Sequence, residues 1–328
     1  MSTPADAETV ATRPRPVGAA IGLLVVVGLA LVPLFVAPYE TTIIGRILIF
    51  ALLAVSLDLL VGITGLPSLG HAAYFGIGAY TAGWLTINVT AEAPIPLLAA
   101  NGAGALAAAA TGWLAVRSGG IFFLMLTLAI GELIFQLAQS WESVTGGSNG
   151  LYGIPAVQLA GSPLVLAGLR YWYVLAVFLI GYAVLRLVSA SPFGAVLRGI
   201  RDNEPRMRSL GYSPFRYKLV AFVLAGAVAG LAGGLLTAQQ RLVTTADLGF
   251  TTAALALLAV VIGGAGTLWG PCLGAALVVL IRDALGPRLD GHGPLVLGLV
   301  FILTVYLLPR GVAGLAGLRF RRRPAEPA

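Results

Sequence analysis

The chain has 328 residues, of which 58% are hydrophobic and 10% charged, and its formal net charge is +7. Soluble domains carry about 25% charged residues, so this composition indicates a membrane protein. The single cysteine, Cys272, excludes an intramolecular disulfide and a cysteine-based metal cluster. The two histidines, His71 and His292, lack the spacing of a metal site.

Apolar runs of membrane-spanning length recur along the whole chain. They cover residues 17–38, 42–62, 66–88, 94–116, 121–141, 171–189, 218–239, 250–268, 271–286 and 294–309. The sequence therefore predicts an all-α polytopic bundle of about ten spans, or about eight if the eighth and ninth runs form one re-entrant pair. The third and ninth runs are rich in glycine and are predicted to be broken or re-entrant. The first run exceeds the apolar core of a signal peptide, which favours an uncleaved anchor.

The basic residues are unevenly distributed between these runs. Cytoplasmic loops of membrane proteins are enriched in Lys and Arg. With the N-terminus in the cytoplasm, most of the 20 basic residues fall on the cytoplasmic side. The sequence thus predicts cytoplasmic N- and C-termini, a short N-terminal tail at 1–16, a single transmembrane domain at 17–310 and a basic tail at 311–328.

Several polar residues lie within the apolar runs. A charged group at mid-bilayer costs about 2.5–3.5 kcal/mol on insertion scales, so such groups usually face protein or water. The candidates for a transport pathway are Asp58, Ser68, His71, Tyr74, Glu132 and Gln136. Other roles remain open, because Asp58 can reach the interface and Glu132 can make a structural hydrogen bond. The glycines around His71 are equally consistent with close helix packing.

The longest external segment in this layout is 142–170. It contains a turn sequence that includes Thr145, Gly146, Gly147 and Asn149. The turn predicts either a gate or surface that meets an external partner, or a simple connection.

The segment Ser191–Lys218, here called the polar segment, interrupts the apolar pattern and holds six basic residues. Ser191-Pro192 is typical of a helix start. The apolar face predicted for this helix comprises Phe193, Val196, Leu197 and Ile200, flanked by Arg198 and Arg201. A second short helix is predicted to end at Gly211.

Two interpretations fit this pattern. The helices could lie on anionic lipid, or their apolar face could bind in a groove of a soluble partner. The break between the helices and the presence of Asp202 and Glu204 favour the second interpretation. The only lysine, Lys218, follows Tyr217, so the chain lacks the Gly-Lys-Ser/Thr of a P-loop.

Four stretches, taken in order, resemble the M-type permease subunit of branched-chain amino acid ABC importers. They are Gly65–Tyr80; Thr127–Glu132 followed by Thr145–Gly150; the polar segment with Lys218–Phe222 and Ala229–Gly234; and Gly263–Gly270. The resemblance covers roughly residues 42–310. It implies a permease in the bacterial inner membrane, paired with a second, H-type permease and served by an extracytoplasmic binding protein.

The resemblance also implies that two separate ABC ATPases hydrolyse ATP with Mg²⁺, so this chain needs no cofactor of its own and binds no nucleic acid. The loop 190–217 would couple the ATPases to transport, with Phe193–Ile200 as the coupling element. Asp58, Pro67 and Phe135 depart from residues common in the family. These departures leave urea or short-amide import open as alternatives to amino acid import. The competing interpretations are an ion-coupled secondary transporter, an intramembrane enzyme and a permease of the same superfamily for sugars or nucleosides.

Overall fold

The computed structural model describes residues 16–159, 161–286, 292–308 and 311–318. Six helices in these residues are long and apolar enough to cross a membrane. They are Pro38–Thr64, Pro94–Ala115, Ile121–Ser140, Ala167–Ala190, Pro214–Gln240 and Thr245–Gly263. Shorter apolar helices cover Gly22–Phe35 and Leu295–Thr304. The protein is therefore an all-α, multi-pass membrane bundle, and each of the ten predicted runs overlaps a helix.

The helices in chain order are α1 (Pro16–Phe35), α2 (Pro38–Asp58), α3 (His71–Asn88), α4 (Pro94–Ala115), α5 (Ile121–Ser140), α6 (Glu142–Thr145), α7 (Ala167–Ala190), α8 (Pro192–Asp202), α9 (Glu204–Ser209), α10 (Pro214–Gln240), α11 (Phe250–Gly263), α12 (Trp269–Val279), α13 (Gly293–Leu307) and α14 (Gly311–Leu318). Helix α2 continues into a π-helical stretch, Leu59–Thr64, and α12 continues into another, Leu280–Leu285. Short 3₁₀ turns cover Gly147–Asn149 and Thr245–Asp247. Two short antiparallel strands, β1 (Gln158–Leu159) and β2 (Ser162–Pro163), complete the described elements.

Helix α2 is the centre of the bundle. In the apolar 18-residue stretch of α2, 89% of the residues are buried, whereas the corresponding share is 22–33% in α4, α5 and α7. A helix that is apolar on all sides is stable when neighbours surround it, and α2 packs against α7, α10 and α12. Helix α10, the second most buried span, packs on α3 and α4.

Glycines bring α10 into backbone contact with its neighbours. A Cβ on Gly233 would overlap the carbonyl oxygen of Phe75 in α3. A Cβ on Gly230 would overlap the carbonyl oxygen of Ala100 in α4 and lie 3.0 Å from the Cα of Gly104. Small residues allow such close approach of membrane helices, so the glycine content reflects packing at these positions.

The third predicted span is interrupted, as its glycine content suggested. Residues 65–70 are not helical, and α3 begins only at His71. His71 lies beside Ser56 of α2. Ser56 precedes Thr64, the last residue of the π-helical extension of α2, by eight residues, so it lies about 12 Å from that end of the helix. The start of α3 is therefore inside the bundle. The ninth span is not broken, because α12 continues into its π-helical stretch without a gap.

The bundle has two ends with different connections. Helices α8 and α9 lie at one end, which is called the α8–α9 end below. At the opposite end, Gln239 Nε2 of α10 donates to the carbonyl oxygen of Thr42 in α2 (2.6 Å). There Leu151 also pairs with Val243 through two backbone hydrogen bonds, so the segment after α6 is joined to the segment before α11.

The close contact between α10 and α4 can be tested by adding one methyl group at Gly230. Gly230→Ala is expected to lower the melting temperature of the detergent-purified protein by several degrees, because overpacking costs about 1–3 kcal/mol. Gly102→Ala is the matched control, since a Cβ there meets nothing within 4 Å. The control should leave the melting temperature unchanged or slightly higher. Equal melting temperatures for the two variants would contradict the proposed close contact.

Candidate functional site

The polar segment forms two short helices, as predicted. Ser191 caps α8, where its Oγ accepts a long hydrogen bond from the backbone N–H of Gly194 (3.4 Å). Asn203 caps α9 through a hydrogen bond from the N–H of Arg206 to its Oδ1 (3.0 Å). Side-chain caps satisfy N–H groups that the first turn of a helix leaves without partners. The bend at Asn203 is thus set by local sequence.

The expectation that the apolar face of α8 is presented to a partner is wrong for two of its residues. Leu197 is 0% exposed and Ile200 is 2% exposed, and Leu197 belongs to the main core of the bundle. Phe193 stacks on Tyr217 of α10 with ring centroids 5.5 Å apart. This face therefore anchors α8 to its own chain. Val196 is half-buried.

Other residues of the polar segment face outward. Leu210, just after α9, is 65% exposed, and Arg206 and Arg208 are also exposed. Leu210 is not among the coupling residues that the sequence predicted. The outer surface of the polar segment therefore includes exposed apolar side chains, Leu210 and Tyr212, and exposed arginines.

Glu204 connects α9 to the start of α10. Its carboxylate accepts from Nζ of Lys218 (2.6 Å) and from a guanidinium N–H of Arg208 (2.7 Å). Burial works against ionisation of Glu204, but the hydrogen bonds and charges of Lys218 and Arg208 outweigh it and lower the pKa of this carboxyl. Glu204 is therefore a stable anion that positions α9.

Arg201 connects α8 to α2. One of its guanidinium N–H groups donates to the carbonyl oxygen of Gly62, in the π-helical end of α2. Gly65, at φ 77°, lies against the aliphatic part of Arg201, where a Cβ would stand 2.5 Å from Cγ. Arg198 is also occupied, since it donates to the carbonyl oxygen of Ser189 (2.9 Å). Both predicted coupling arginines thus contact the bundle itself.

Asp58 holds the turn between α11 and α12. It is 0% exposed, and its two carboxylate oxygens accept from the N–H of Gly266 (2.7 Å) and the N–H of Leu268 (3.1 Å). A Cβ on Gly62 would overlap both the N–H of Gly266 and the Asp58 carboxylate. Arg201, the end of α2 and this turn are therefore in direct contact.

Removal of the Asp58 carboxylate tests this connection. Asp58→Ala leaves the buried N–H of Leu268 and the partly buried N–H of Gly266 without their acceptor. A buried N–H without an acceptor costs about 1–3 kcal/mol, so the melting temperature should fall. Asp58→Asn keeps one acceptor oxygen, so its melting temperature should lie between those of Asp58→Ala and the wild type. Asp202→Ala is the control, since Asp202 is exposed and pairs with adjacent Arg201, and it should change the melting temperature little. An Asp58→Ala protein as stable as the wild type would refute the assignment.

A buried polar cluster surrounds the start of α3. Ser56 gives its hydroxyl proton to the carbonyl oxygen of Leu53 (2.7 Å), so it accepts from Nε2 of His71 (2.8 Å). This tautomer leaves Nδ1 of His71 as an acceptor. That atom and Oγ of Ser68 are both buried without a hydrogen-bond partner in the described part of the chain. Tyr74 donates to Thr111, completing the cluster (2.7 Å).

Glu132 and Gln136 lie apart from this cluster. Gly131 packs against Gly70 at the start of α3, but Glu132 points to the exposed side of α5. Nε2 of Gln136 donates to the Glu132 carboxylate (2.8 Å). The six candidates for the pathway thus fall into three places: Asp58 at the α8–α9 end, three residues around the start of α3, and two on the outside of α5.

The turn after α6 is held by Thr145. Its hydroxyl contacts the carbonyl oxygens of Ala138 (2.6 Å) and Trp141 (2.7 Å), and it accepts from the N–H of Gly147 (3.2 Å). Gly146 and Gly147 adopt positive φ values of 74° and 61°, which favour glycine. Asn149 is exposed in the following 3₁₀ turn.

An apolar cavity of about 370 Å³ lies beside this turn, between α3 and α5. Its lining includes Ile77, Tyr80, Trp84, Ile134, Trp141, Thr145 and Leu248. Ligand sites are typically concave, apolar and about 300–1,000 Å³ in volume. Sequence reasoning missed the cavity because its walls come from three distant segments. In the described residues, no group of three or more His, Cys, Asp or Glu side chains could hold a metal ion.

Fold and sites together define a multi-pass membrane protein with a structured polar segment at one end, as expected of a transport subunit. The chain belongs to the family described as "branched-chain amino acid transport system / permease component", which it matches over residues 40–308. The resemblance found in the sequence is thereby confirmed. This is a family of transport subunits.

Individual relatives agree with this family. The chain is 30% identical over 292 residues to the high-affinity branched-chain amino acid transport system permease protein LivM of Escherichia coli K12, covering 81% of this chain and 68% of that protein. It is 29% identical to LivM of Salmonella typhimurium LT2, covering 85% and 71%. It is 26% identical to the high-affinity branched-chain amino acid transport system permease protein LivH of Escherichia coli K12, covering 81% of this chain and 91% of that protein. No solved structure gives a significant match.

Proposed function

We propose that this chain is a permease subunit of an ABC importer that carries branched-chain amino acids across the bacterial inner membrane. The family match over residues 40–308 carries the proposal. The chain has no P-loop lysine, so the energy source is a pair of separate ATPases that bind ATP and Mg²⁺. An extracytoplasmic binding protein delivers the substrate.

The proposed topology has about ten spans, with residues 1–16, the polar segment and residues 311–328 in the cytoplasm. Residues 17–310 form the single transmembrane domain. Two observations support this arrangement. The basic polar segment gathers at one end of the bundle, and the connections after α6 and before α11 meet at the other. The turn Thr145–Asn149 then faces outward, where it meets the binding protein or closes the cavity beside it.

The outer surface of the polar segment is the proposed docking site for an ATPase. Leu210 supplies an exposed apolar side chain, and the exposed Arg206 and Arg208 precede it by four and two residues. Aliphatic anchors within a polar rim are typical of protein interfaces. The face from Phe193 to Ile200 acts as the coupling element by attaching α8 to the bundle. Movement of the ATPases would reach α2 through Arg201 and the α11–α12 turn through Asp58.

The docking site can be tested with two exposed leucines. Leu210→Asp should reduce co-purification of the ATPases about tenfold or more, because it places a charge in an apolar contact. Leu166→Asp is the matched control, since Leu166 is 68% exposed at the opposite end of the bundle. Both variants should keep the wild-type melting temperature. Normal ATPase recovery with Leu210→Asp would show that this surface does not dock them.

The proposed pathway passes the start of α3. Ser68 and His71 offer buried polar atoms there without partners among the described residues, and Tyr74 lines the same cluster. Glu132 and Gln136 contribute from the exposed side of α5. A branched-chain amino acid needs apolar walls together with a few polar groups for its charged ends, and a broken helix supplies such groups. Asp58 acts as a structural support, because both of its oxygens are occupied by backbone N–H groups.

Substrate uptake tests the function directly. Deletion of this chain from its bacterium should abolish high-affinity uptake of radiolabelled leucine, isoleucine and valine, and expression of the wild-type chain should restore it. Urea uptake in the same strain is the control and should be unaffected. Normal uptake of the three amino acids with loss of urea uptake would instead assign the chain to a urea or short-amide importer.

A further inference from the structure

The apolar cavity between α3 and α5, here called the α3–α5 cavity, lies between the end of the bundle opposite α8 and α9 and the buried polar cluster. Three of its lining residues, Ile77, Thr81 and Trp84, follow Tyr74 at spacings of three and four residues, which places them on one side of α3. At 1.5 Å per residue, they lie about 5 to 15 Å beyond Tyr74 along the helix. A solute that enters beside the turn Thr145–Asn149 therefore meets the cavity before it meets the start of α3.

The walls of the α3–α5 cavity are almost entirely apolar, and its volume of about 370 Å³ is that of a small-molecule site. Trp84 and Trp141 also line it and are half-exposed, as is typical of indole rings at the boundary between membrane and water. A molecule with an aliphatic part can bury that part here. The aliphatic lining residues are Ile77, Ile134, Leu137, Ala138, Val144 and Leu248.

One hydroxyl group in this lining has no protein partner. Oγ1 of Thr81 donates to the carbonyl oxygen of Ile77 (2.7 Å), and the hydroxyl of Thr145 is bonded to backbone carbonyl groups. Tyr80 is only 7% exposed, and its hydroxyl is buried without a hydrogen-bond partner in the described part of the chain. Buried polar groups in native proteins almost always have a partner. The Tyr80 hydroxyl is therefore available to a ligand.

A carboxylate stands near this hydroxyl. Asp247 is close enough to Tyr80 for its charge to act on the hydroxyl. Oδ2 of Asp247 accepts from the N–H and the hydroxyl of Thr244 (2.9 and 3.0 Å), whereas Oδ1 accepts no hydrogen bond within the residues that the structure describes. Arg282 also acts on this carboxylate, but its guanidinium is paired with Asp283 (2.7 Å). A carboxylate oxygen and a hydroxyl oxygen together suit an ammonium group, which has three donors and no acceptor.

We propose that the α3–α5 cavity is an outer binding site for the transported amino acid, with its aliphatic side chain in the cavity and its α-ammonium group on Tyr80 Oη and Asp247 Oδ1. The proposal rests on the proposed function, which supplies the class of substrate. The apolar walls select against polar side chains, because burying a polar group without a partner is unfavourable. A lipid acyl chain would fill the same walls but would leave the Tyr80 hydroxyl without a partner.

Photo-leucine, a leucine analogue with a diazirine in its side chain, tests the position of this site in the complete importer. Membranes that contain the importer and its binding protein are irradiated, and adducts on this chain are located by mass spectrometry. We expect adducts within 77–84 and 134–145 that excess leucine suppresses. Absence of adducts from these segments overturns the proposal. Adducts that leucine does not suppress also overturn it, because the cavity would then take apolar molecules such as acyl chains without selection.

Narrowing the cavity tests selection by size. Ala138 lines the cavity and is buried, so Ala138→Leu places a larger side chain in the space. The ratio of leucine to valine uptake should fall about tenfold, the effect that one methylene group can have in an apolar site. The binding protein is unchanged, so the altered ratio belongs to this chain. Ala176→Leu, on the exposed side of α7, is the control and should keep the wild-type ratio. A wild-type ratio with Ala138→Leu overturns the proposal.

Removal of the Tyr80 hydroxyl tests the polar contact and decides the matter if Ala138→Leu does not fold. Tyr80→Phe keeps the shape of the side chain, and its melting temperature should equal or exceed that of the wild type, because the lost hydroxyl has no partner among the described residues. The yield of photo-leucine adducts at a sub-saturating concentration should fall about tenfold, as expected for loss of a hydrogen bond to a charged group. Tyr152→Phe, at a 73% exposed tyrosine, is the control. An unchanged yield with Tyr80→Phe refutes the contact.

The two proposals fail in different ways. If the wild-type importer takes up no leucine, isoleucine or valine, the proposed function is wrong. If it takes them up but the adducts lie outside the α3–α5 cavity, and Ala138→Leu and Tyr80→Phe behave like their controls, only the assignment of the cavity is wrong.

Discussion

Lipid offers no hydrogen bonds, so each polar group inside this bundle has to find its partner within protein or water. Asp58 shows how this constraint organises the α8–α9 end. Its buried carboxylate accepts two N–H groups from the turn between α11 and α12. Beside it, Gly62 brings the backbone of α2 against that turn and accepts from Arg201 of α8. Three elements that are far apart in sequence are thus held together by backbone contacts.

A second connection runs from the polar segment to the start of α3. Glu204 of α9 pairs with Lys218, at the beginning of α10. Helix α10 in turn contacts α3 through Gly233, which leaves no room for a side chain beside Phe75. A displacement of α9 would therefore be transmitted along α10 to the helix that begins at the buried polar cluster. Close packing transmits such displacements because a dense interior has little free volume to absorb them.

Sequence reasoning was most accurate where the signal is local. The helix start predicted at Ser191-Pro192 is correct, because a capping side chain bonds within three residues of itself. The interruption before His71 also followed from local glycine content. The partners of Asp58 could not be predicted in this way, since they lie 208 and 210 residues further along the chain. The apolar cavity beside Trp141 likewise draws its walls from separate segments.

The sequence by itself determined the membrane class, the positions of most helices and the family, because composition, apolar run length and motif order are properties of the chain alone. Only the tertiary structure decided which faces are buried. Periodicity places Leu197 on the apolar face of α8, but the structure buries Leu197 against the bundle and leaves Leu210 65% exposed. In the same way, the packing of α5 on α3 leaves Glu132 on the outside. Periodicity indicates which face of a helix is apolar. It does not indicate what covers that face, because the covering residues come from distant parts of the chain or from another subunit.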